Sequence, residues 1–252
     1  MALTRSGGSA DLTTRDPSSH RRGRRAAWAV HAYTTLGLVL GALAAVYIVH
    51  GSIGDLRIAL LLLWMTSAVD ATDGWLARRF RVAEAVPSID GSRLDDIVDF
   101  QTFVSLPLLL VWRADLLPGD FAWILLLPLL ASAYGFSQVQ AKTSDGFFRG
   151  FPSYWNVVAF YLFFLQPALP VTLLLLTGFT VLTIVPLRYL YPTKGGPFGS
   201  WIVGFGVVWA LLLLLILLEI PEREMLWVLV SLMYPAFYLG ASWSLAFRTA
   251  PD

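Results

Sequence analysis

Six aspartates, Asp70, Asp73, Asp90, Asp95, Asp96 and Asp99, fall within the stretch "DATDGWLARRFRVAEAVPSIDGSRLDDIVD" of a 252-residue chain with only 17 acidic residues in all. On a helix, Asp70 and Asp73 share a side at i,i+3, and Asp95 and Asp99 share one at i,i+4. If the two helices form a hairpin, two pairs of carboxylates face each other. Unaided, they would repel and partly protonate; a divalent cation, or two, removes the conflict. No cysteine is present and no histidine lies nearby, so the donors are all oxygen, which suits Mg²⁺ or Mn²⁺ better than Zn²⁺. Gly74 and Ala77 continue the Asp70/Asp73 face, and Gly91 stands one turn before Asp95. These small residues leave room for a bulky group beside the backbone. Arg78, one turn after Gly74, can reach an anion held by the metal. Together these residues describe a phosphate site, and two ions bridging a diphosphate fit phosphoryl-type displacement.

Apolar helices must carry them. The chain is 57% hydrophobic and 14% charged, too apolar for an ordinary soluble domain. Runs such as "LRIALLLLWM", "FAWILLLPLLASAYGF" and "WIVGFGVVWALLLLLILL" approach or reach the length that crosses a hydrocarbon core of about 30 Å. The pattern predicts an all-α polytopic membrane protein of about eight spans, near 27–50, 55–77, 94–113, 119–139, 152–166, 169–190, 198–219 and 224–246. Residues 1–26 read as a disordered basic tail and 27–248 as one transmembrane catalytic domain. Asp70 then lies roughly 22 Å along its span at 1.5 Å per residue, still inside the bilayer. A charge deep in a span costs roughly 2.5–3.5 kcal/mol, so a purely structural role for the paired carboxylates is disfavoured.

With both termini inside, fifteen of the 18 Lys and Arg residues fall on cytoplasmic segments, leaving Arg57, Arg113 and Arg223 outside. The aspartates then sit at the cytoplasmic ends of the second and third spans, and the expected location is a bacterial inner membrane. Asp90 reads as loop charge, Asp96 as a cytoplasm-facing neighbour, and Arg79 and Arg81 as interface charges. A formal net charge of +1 offers no argument for nucleic acid, and none is expected as a partner. A cation transporter would continue its polar path toward the outer face, and the second and third spans carry almost nothing polar there.

Asp70, Asp73, Gly74, Ala77 and Arg78, followed by Gly91, Asp95 and Asp99, match every fixed position of D-x-x-D-G-x-x-A-R…G-x-x-x-D-x-x-x-D. This resembles the CDP-alcohol phosphotransferase family. The twelve residues from Arg79 to Asp90 make a longer gap than most members have. That gap looks like the family's bacterial phosphatidylcholine synthase branch, as do "SAYGFSQ" and "FFRGFPSYWNVVAFYLFFL". The resemblance implies a six-helix core plus two further helices. It also implies condensation of CDP-diacylglycerol with choline to give phosphatidylcholine and CMP, dependent on Mn²⁺ or Mg²⁺. Asp70, Asp73, Asp95 and Asp99 would hold two ions, and Asp99 would also act as the base. Gly74, Ala77, Arg78 and Gly91 would receive the nucleotide phosphates. Serine, inositol phosphate or glycerol phosphate would be the acceptor in other branches; the gap argues against them, and no basic cluster beside the site meets a phosphorylated acceptor.

Choline carries no N–H, so its receptor is expected to be aromatic. Tyr154 and Trp155, at the cytoplasmic start of the fifth span, and Tyr134 on the fourth, with Gln138 as a polar neighbour, are the residues expected there. His31, Thr34 and especially Thr35, early in the first span, could contact the nucleotide or bond a neighbouring helix. The Leu-rich seventh and eighth spans suit membrane lipid or the seam of a homodimer.

Overall fold

The computed structural model describes residues 17–138, 147–190, 199–219 and 224–248, with side chains from 21 to 244 within those ranges. Helix α1 (Pro17–His50) returns as α2 (Ile53–Arg79), and these two pack along their lengths. Ser52 starts α2: its hydroxyl oxygen accepts the Asp55 N–H at 3.1 Å, satisfying one of the donors a helix leaves open at its first turn. α1 buries Ala27, Val30, Thr34, Gly37, Gly41, Ala44 and Ile48 at three- and four-residue intervals, with His31 beside them. Its Val39, Leu43, Val46 and Val49 are turned outward. Such apolar exteriors recur on α9 (Gly199–Leu217), where Trp201, Val207, Val208 and Leu211 are exposed.

A short helix, α3 (Val82–Ala85), joins α2 to α4 (Gly91–Asp99), and Ala27, Val30, Val82 and Val86 pack that corner. The helix then widens into a π-helical segment, Phe100–Ser105, before narrowing to α5 (Leu106–Arg113). Pro107 explains the widening. It has no N–H to give to the carbonyl four residues back, and its ring crowds that carbonyl. Gly37 and Gly41 of α1 admit this helix: a Cβ on Gly37 would lie 2.6 Å from Val98, and one on Gly41 3.1 Å from Leu106. Small residues four apart allow such close crossings. At the far end, Arg113 reaches back to the last carbonyls of α1, donating to His50 O at 3.1 Å.

A 3₁₀ turn (Gly119–Leu125) leads into α6 (Leu126–Phe136), and α7 (Trp155–Leu165) and α8 (Leu169–Ile184) follow. α10 (Glu224–Ser231) and α11 (Met233–Arg248) end the chain. Among the described residues four helical stretches, Arg21–His50, Gly119–Phe136, Gly199–Leu217 and Glu224–Ser244, are long and apolar enough to cross a membrane, and α7 and α8 are shorter apolar helices. This is an all-α polytopic membrane protein. α7, roughly 16 Å long at 1.5 Å per residue, is the central post of the bundle, with Trp155, Val158, Ala159, Phe160 and Leu162 all buried.

Three local expectations change. α1 begins at Pro17, inside the stretch read as a disordered tail; residues 1–16 lie outside those described. The sixth span was expected to run to 190, but its helix ends at Ile184. Pro186 disfavours helical backbone in the residue before it, and Arg188–Leu190 instead forms a strand, β2. β2 pairs antiparallel with β1 (Phe147–Arg149), Phe148 opposite Tyr189. The last span is two helices, α10 and α11, broken at Leu232 so that Pro235 falls in the first turn of α11, where its missing N–H costs little.

Candidate active site

α2 delivers Asp70 and Asp73, and α4 delivers Asp95 and Asp99. Asp90 sets the start of α4: its carboxylate accepts the N–H groups of Ser92 at 3.1 Å and Arg93 at 3.2 Å and pairs with the Arg93 guanidinium. It is thus the N-cap rather than plain loop charge. Asp95 follows one turn later, and Asp99 closes the regular helix just before the widened turn.

Asp70, Asp95 and Asp99 converge. Each is half-buried, and one carboxylate oxygen from each lies within 4.8 Å of the others. Three partly buried carboxylates this close repel one another, and a cation among them would offset that repulsion. An all-oxygen donor set of this kind could bind a hard metal ion. Asp73 stands outside the three. It is 6% exposed and accepts the Thr34 hydroxyl at 2.8 Å, which ties α1 to α2 beside the cluster.

The residues expected around the phosphates are distributed unequally. Arg78 is exposed and lies across Gly74, its Nη1 3.3 Å from where a Cβ on that glycine would stand. Gly91 sits above His31, whose Cε1 would be 3.4 Å from a Cβ there. Ala77 packs into the α1–α2–α3 corner. Thr35 donates to its own helix, to His31 O at 3.0 Å and Ala32 O at 2.9 Å. Thr34, one position earlier, is the hydroxyl that meets an aspartate. The buried stripe through Ala27, Val30 and His31 carries the signal, because it selects position 34 over 35.

The three aromatics expected to face a quaternary ammonium also separate. Trp155 is 1% exposed, and its indole N–H donates to Ser132 Oγ at 2.8 Å, so it packs the core. Tyr134 is 55% exposed on the outside of α6. Tyr154, just ahead of α7, lines an interior cavity of about 680 Å³.

That cavity runs along α2 past Leu60, Leu63, Trp64, Ser67, Ala68 and Ala71, against α7, α9 and α11. Its wall is almost wholly apolar. It extends roughly 16 Å along α2, from Leu60 to Ala71. Asn156 marks its polar end, donating to Ser67 Oγ at 2.9 Å. Neither this link nor the cavity was predicted, for a lone Asn after an aromatic pair carries no pattern. His31 is buried at 6% exposure, and its Nε2 has no hydrogen-bond partner among the described residues. Gln138 ends the described part of that segment.

No protein-family model matches the chain. Several curated proteins do. Phosphatidylcholine synthase of Legionella pneumophila is 35% identical over 225 residues, 86% of this chain and 87% of the relative. Phosphatidylcholine synthase of Pseudomonas aeruginosa is 34% identical over 198 residues, 77% of this chain and 81% of the relative. Phosphatidylcholine synthase of Legionella bozemanae is 32% identical over 192 residues, 73% of this chain and 88% of the relative.

Proposed function

The chain belongs to the phosphatidylcholine synthase family, and from that premise we propose that it condenses CDP-diacylglycerol with choline to give phosphatidylcholine and CMP. The observation that carries this reading is the convergence of Asp70, Asp95 and Asp99 within 4.8 Å, a site suited to a cation that grips a diphosphate. Asp70, Asp95 and Asp99, with Asp73 beside them, would hold Mn²⁺ or Mg²⁺, in a pair of ions. When bound, the metal supplies charge neutralisation at the diphosphate.

The remaining chemistry falls to side chains. Asp99 accepts the proton of the choline hydroxyl. The choline oxygen bonds to the phosphorus that bears diacylglycerol, and the bond from that phosphorus to the bridging oxygen breaks, releasing CMP. Arg78, lying over Gly74, meets the phosphate charge as a planar cation. Gly74 and Gly91 keep the approach open. His31 Nε2, buried beneath Gly91, and Thr34 face the nucleotide side. A buried polar atom with no partner among the described residues is open to a ligand.

In this reading, residues 27–248 form one catalytic unit in a bacterial plasma membrane, with the aspartate end and both termini cytoplasmic. The exposed apolar face of α9 is where lipid or a second copy packs.

The test is purified protein in detergent with CDP-diacylglycerol, Mn²⁺ and, separately, choline, serine, inositol phosphate and glycerol phosphate, following CMP release. Choline alone is expected to support release. Release with another alcohol and none with choline would move the chain to a different acceptor, and none with any would sink the catalytic reading.

A further inference from the structure

Five of the rings that line the cavity form one connected cluster. Phe103 lies four residues beyond Asp99, on the widened turn. Its ring is 6.2 Å from that of Tyr154. Tyr154 in turn stands 6.1 Å from Phe151 and 6.4 Å from Tyr238. Phe179 backs Phe151 at 4.6 Å. These five rings come from four separate parts of the chain, and all five line the one cavity. Away from this cluster the lining mixes leucines such as Leu60 and Leu213 with Trp64, Phe160, Tyr161 and Trp209.

Ring faces present negative charge density, and a cation without N–H groups can use them with no need of an acceptor. A primary ammonium in the same place would leave donors unmatched, at a cost comparable to burying any unpaired polar group. Tyr238 suits the part. Its hydroxyl donates to Leu190 O of β2 at 2.9 Å, which fixes the ring in place. The ring is 7% exposed, so water competes little. α11, which carries Tyr238, comes from the last stretch of the chain, far in sequence from the aspartates.

We propose that Phe103, Tyr154 and Tyr238 form the pocket for the quaternary ammonium of the acceptor alcohol. Tyr238 of α11 is then a specificity-determining residue that favours choline over ethanolamine. This rests on the choline-using reading above. The widened turn places the base and the first ring of the pocket on consecutive turns of one helix, so the hydroxyl end of choline meets Asp99 while the trimethylammonium lies deeper.

The experiment compares Tyr238→Leu, Tyr238→Phe and Phe103→Leu with the unaltered protein, measuring KM for choline and for CDP-diacylglycerol separately. Tetramethylammonium serves as a competitive probe that has the cation and lacks the hydroxyl. Y238L and F103L are each expected to raise KM for choline roughly three- to thirtyfold, the range of one cation–π contact. KM for CDP-diacylglycerol stays put, and inhibition by tetramethylammonium weakens in step. Y238F, which keeps the ring, recovers most of the loss, whereas a role confined to the Leu190 hydrogen bond predicts that it would not. An unchanged choline KM in both Leu variants, or equal rises for both substrates, overturns the pocket. If the unaltered protein uses ethanolamine as well as choline, the specificity claim falls while the synthase reading stands. If it releases no CMP with choline, the parent reading fails and the pocket fails with it.

Discussion

Replacing Thr34 by Val removes one hydroxyl and leaves the shape of the side chain almost unchanged. The lost contact is the 2.8 Å hydrogen bond to Asp73 Oδ2, between residues that are 7% and 6% exposed. A hydrogen bond to a charged group is worth about 1.5–3 kcal/mol, and its loss leaves a buried carboxylate less well satisfied. At about 1.4 kcal/mol per tenfold, and in line with the roughly 10–100-fold effect of removing a group that orients a metal ligand, T34V is expected to raise the Mn²⁺ concentration for half-maximal CMP release roughly 10–100-fold. The assay is a Mn²⁺ titration of choline-dependent CMP release at saturating substrates, with thermal melting recorded in parallel. Thr35→Val is the internal control. Its hydroxyl bonds only carbonyls of its own helix, so the titration should stay within about twofold, as expected of a change away from any special contact. Thr34→Ser keeps a donor and should lie between the two. A T34V protein that melts and titrates like the unaltered one, or a T35V protein that falls as far, would refute the argument that Asp73 is held in place from α1.

Asp99→Asn keeps the size and removes the base: CMP release should fall roughly 10²–10⁴-fold with little change in melting temperature, and retained turnover would move the base elsewhere. Gly37→Ala places a Cβ 2.6 Å from Val98 and should cost about 1–3 kcal/mol by overpacking. Gly23→Ala meets nothing within 4 Å and should leave the melting temperature level or higher. Trp155→Phe strips the indole donor from Ser132 inside the core and should cost about 1–3 kcal/mol in denaturant unfolding, with KM for choline unchanged. A raised KM without loss of stability would instead return Trp155 to the choline site.

The carboxylates were legible because two periodicities coincide with one chemistry. Asp70 and Asp73 can share a face only on a helix, as can Asp95 and Asp99, and no apolar span tolerates them without a partner. The apolar helical character of the chain was readable for the same reason, since hydrocarbon imposes helix on a spanning stretch. Legibility ran out where periodicity stops deciding. Thr34 and Thr35 are adjacent hydroxyls, and choosing between them needs the buried stripe of α1, which only the partner helix fixes. Trp155 looked like a rim aromatic because it starts a span, yet α7 is surrounded on all sides, and the residue that starts it is interior. The strand at Arg188–Leu190 depends on pairing with Phe147–Arg149, some forty residues earlier, which no local pattern announces. The ring cluster around Tyr154 is assembled from positions 103, 151, 154, 179 and 238, and a linear reading has no reason to group them.

The widened turn at Phe100–Ser105 bears on how the chain can change length. Each residue of an α-helix advances the phase by about 100°, so deleting one from α4 or α5 would turn the carboxylates away from the core face made by Leu108 and Val111. Within the π segment the loop of each hydrogen bond already holds one residue more than an α turn needs. Losing a residue there would tighten the helix and leave both flanks in register. Chains of this architecture that differ by a single residue between the last aspartate and the outer end of this helix can therefore accommodate the difference at that turn, with the carboxylate site and the packing of α5 both preserved.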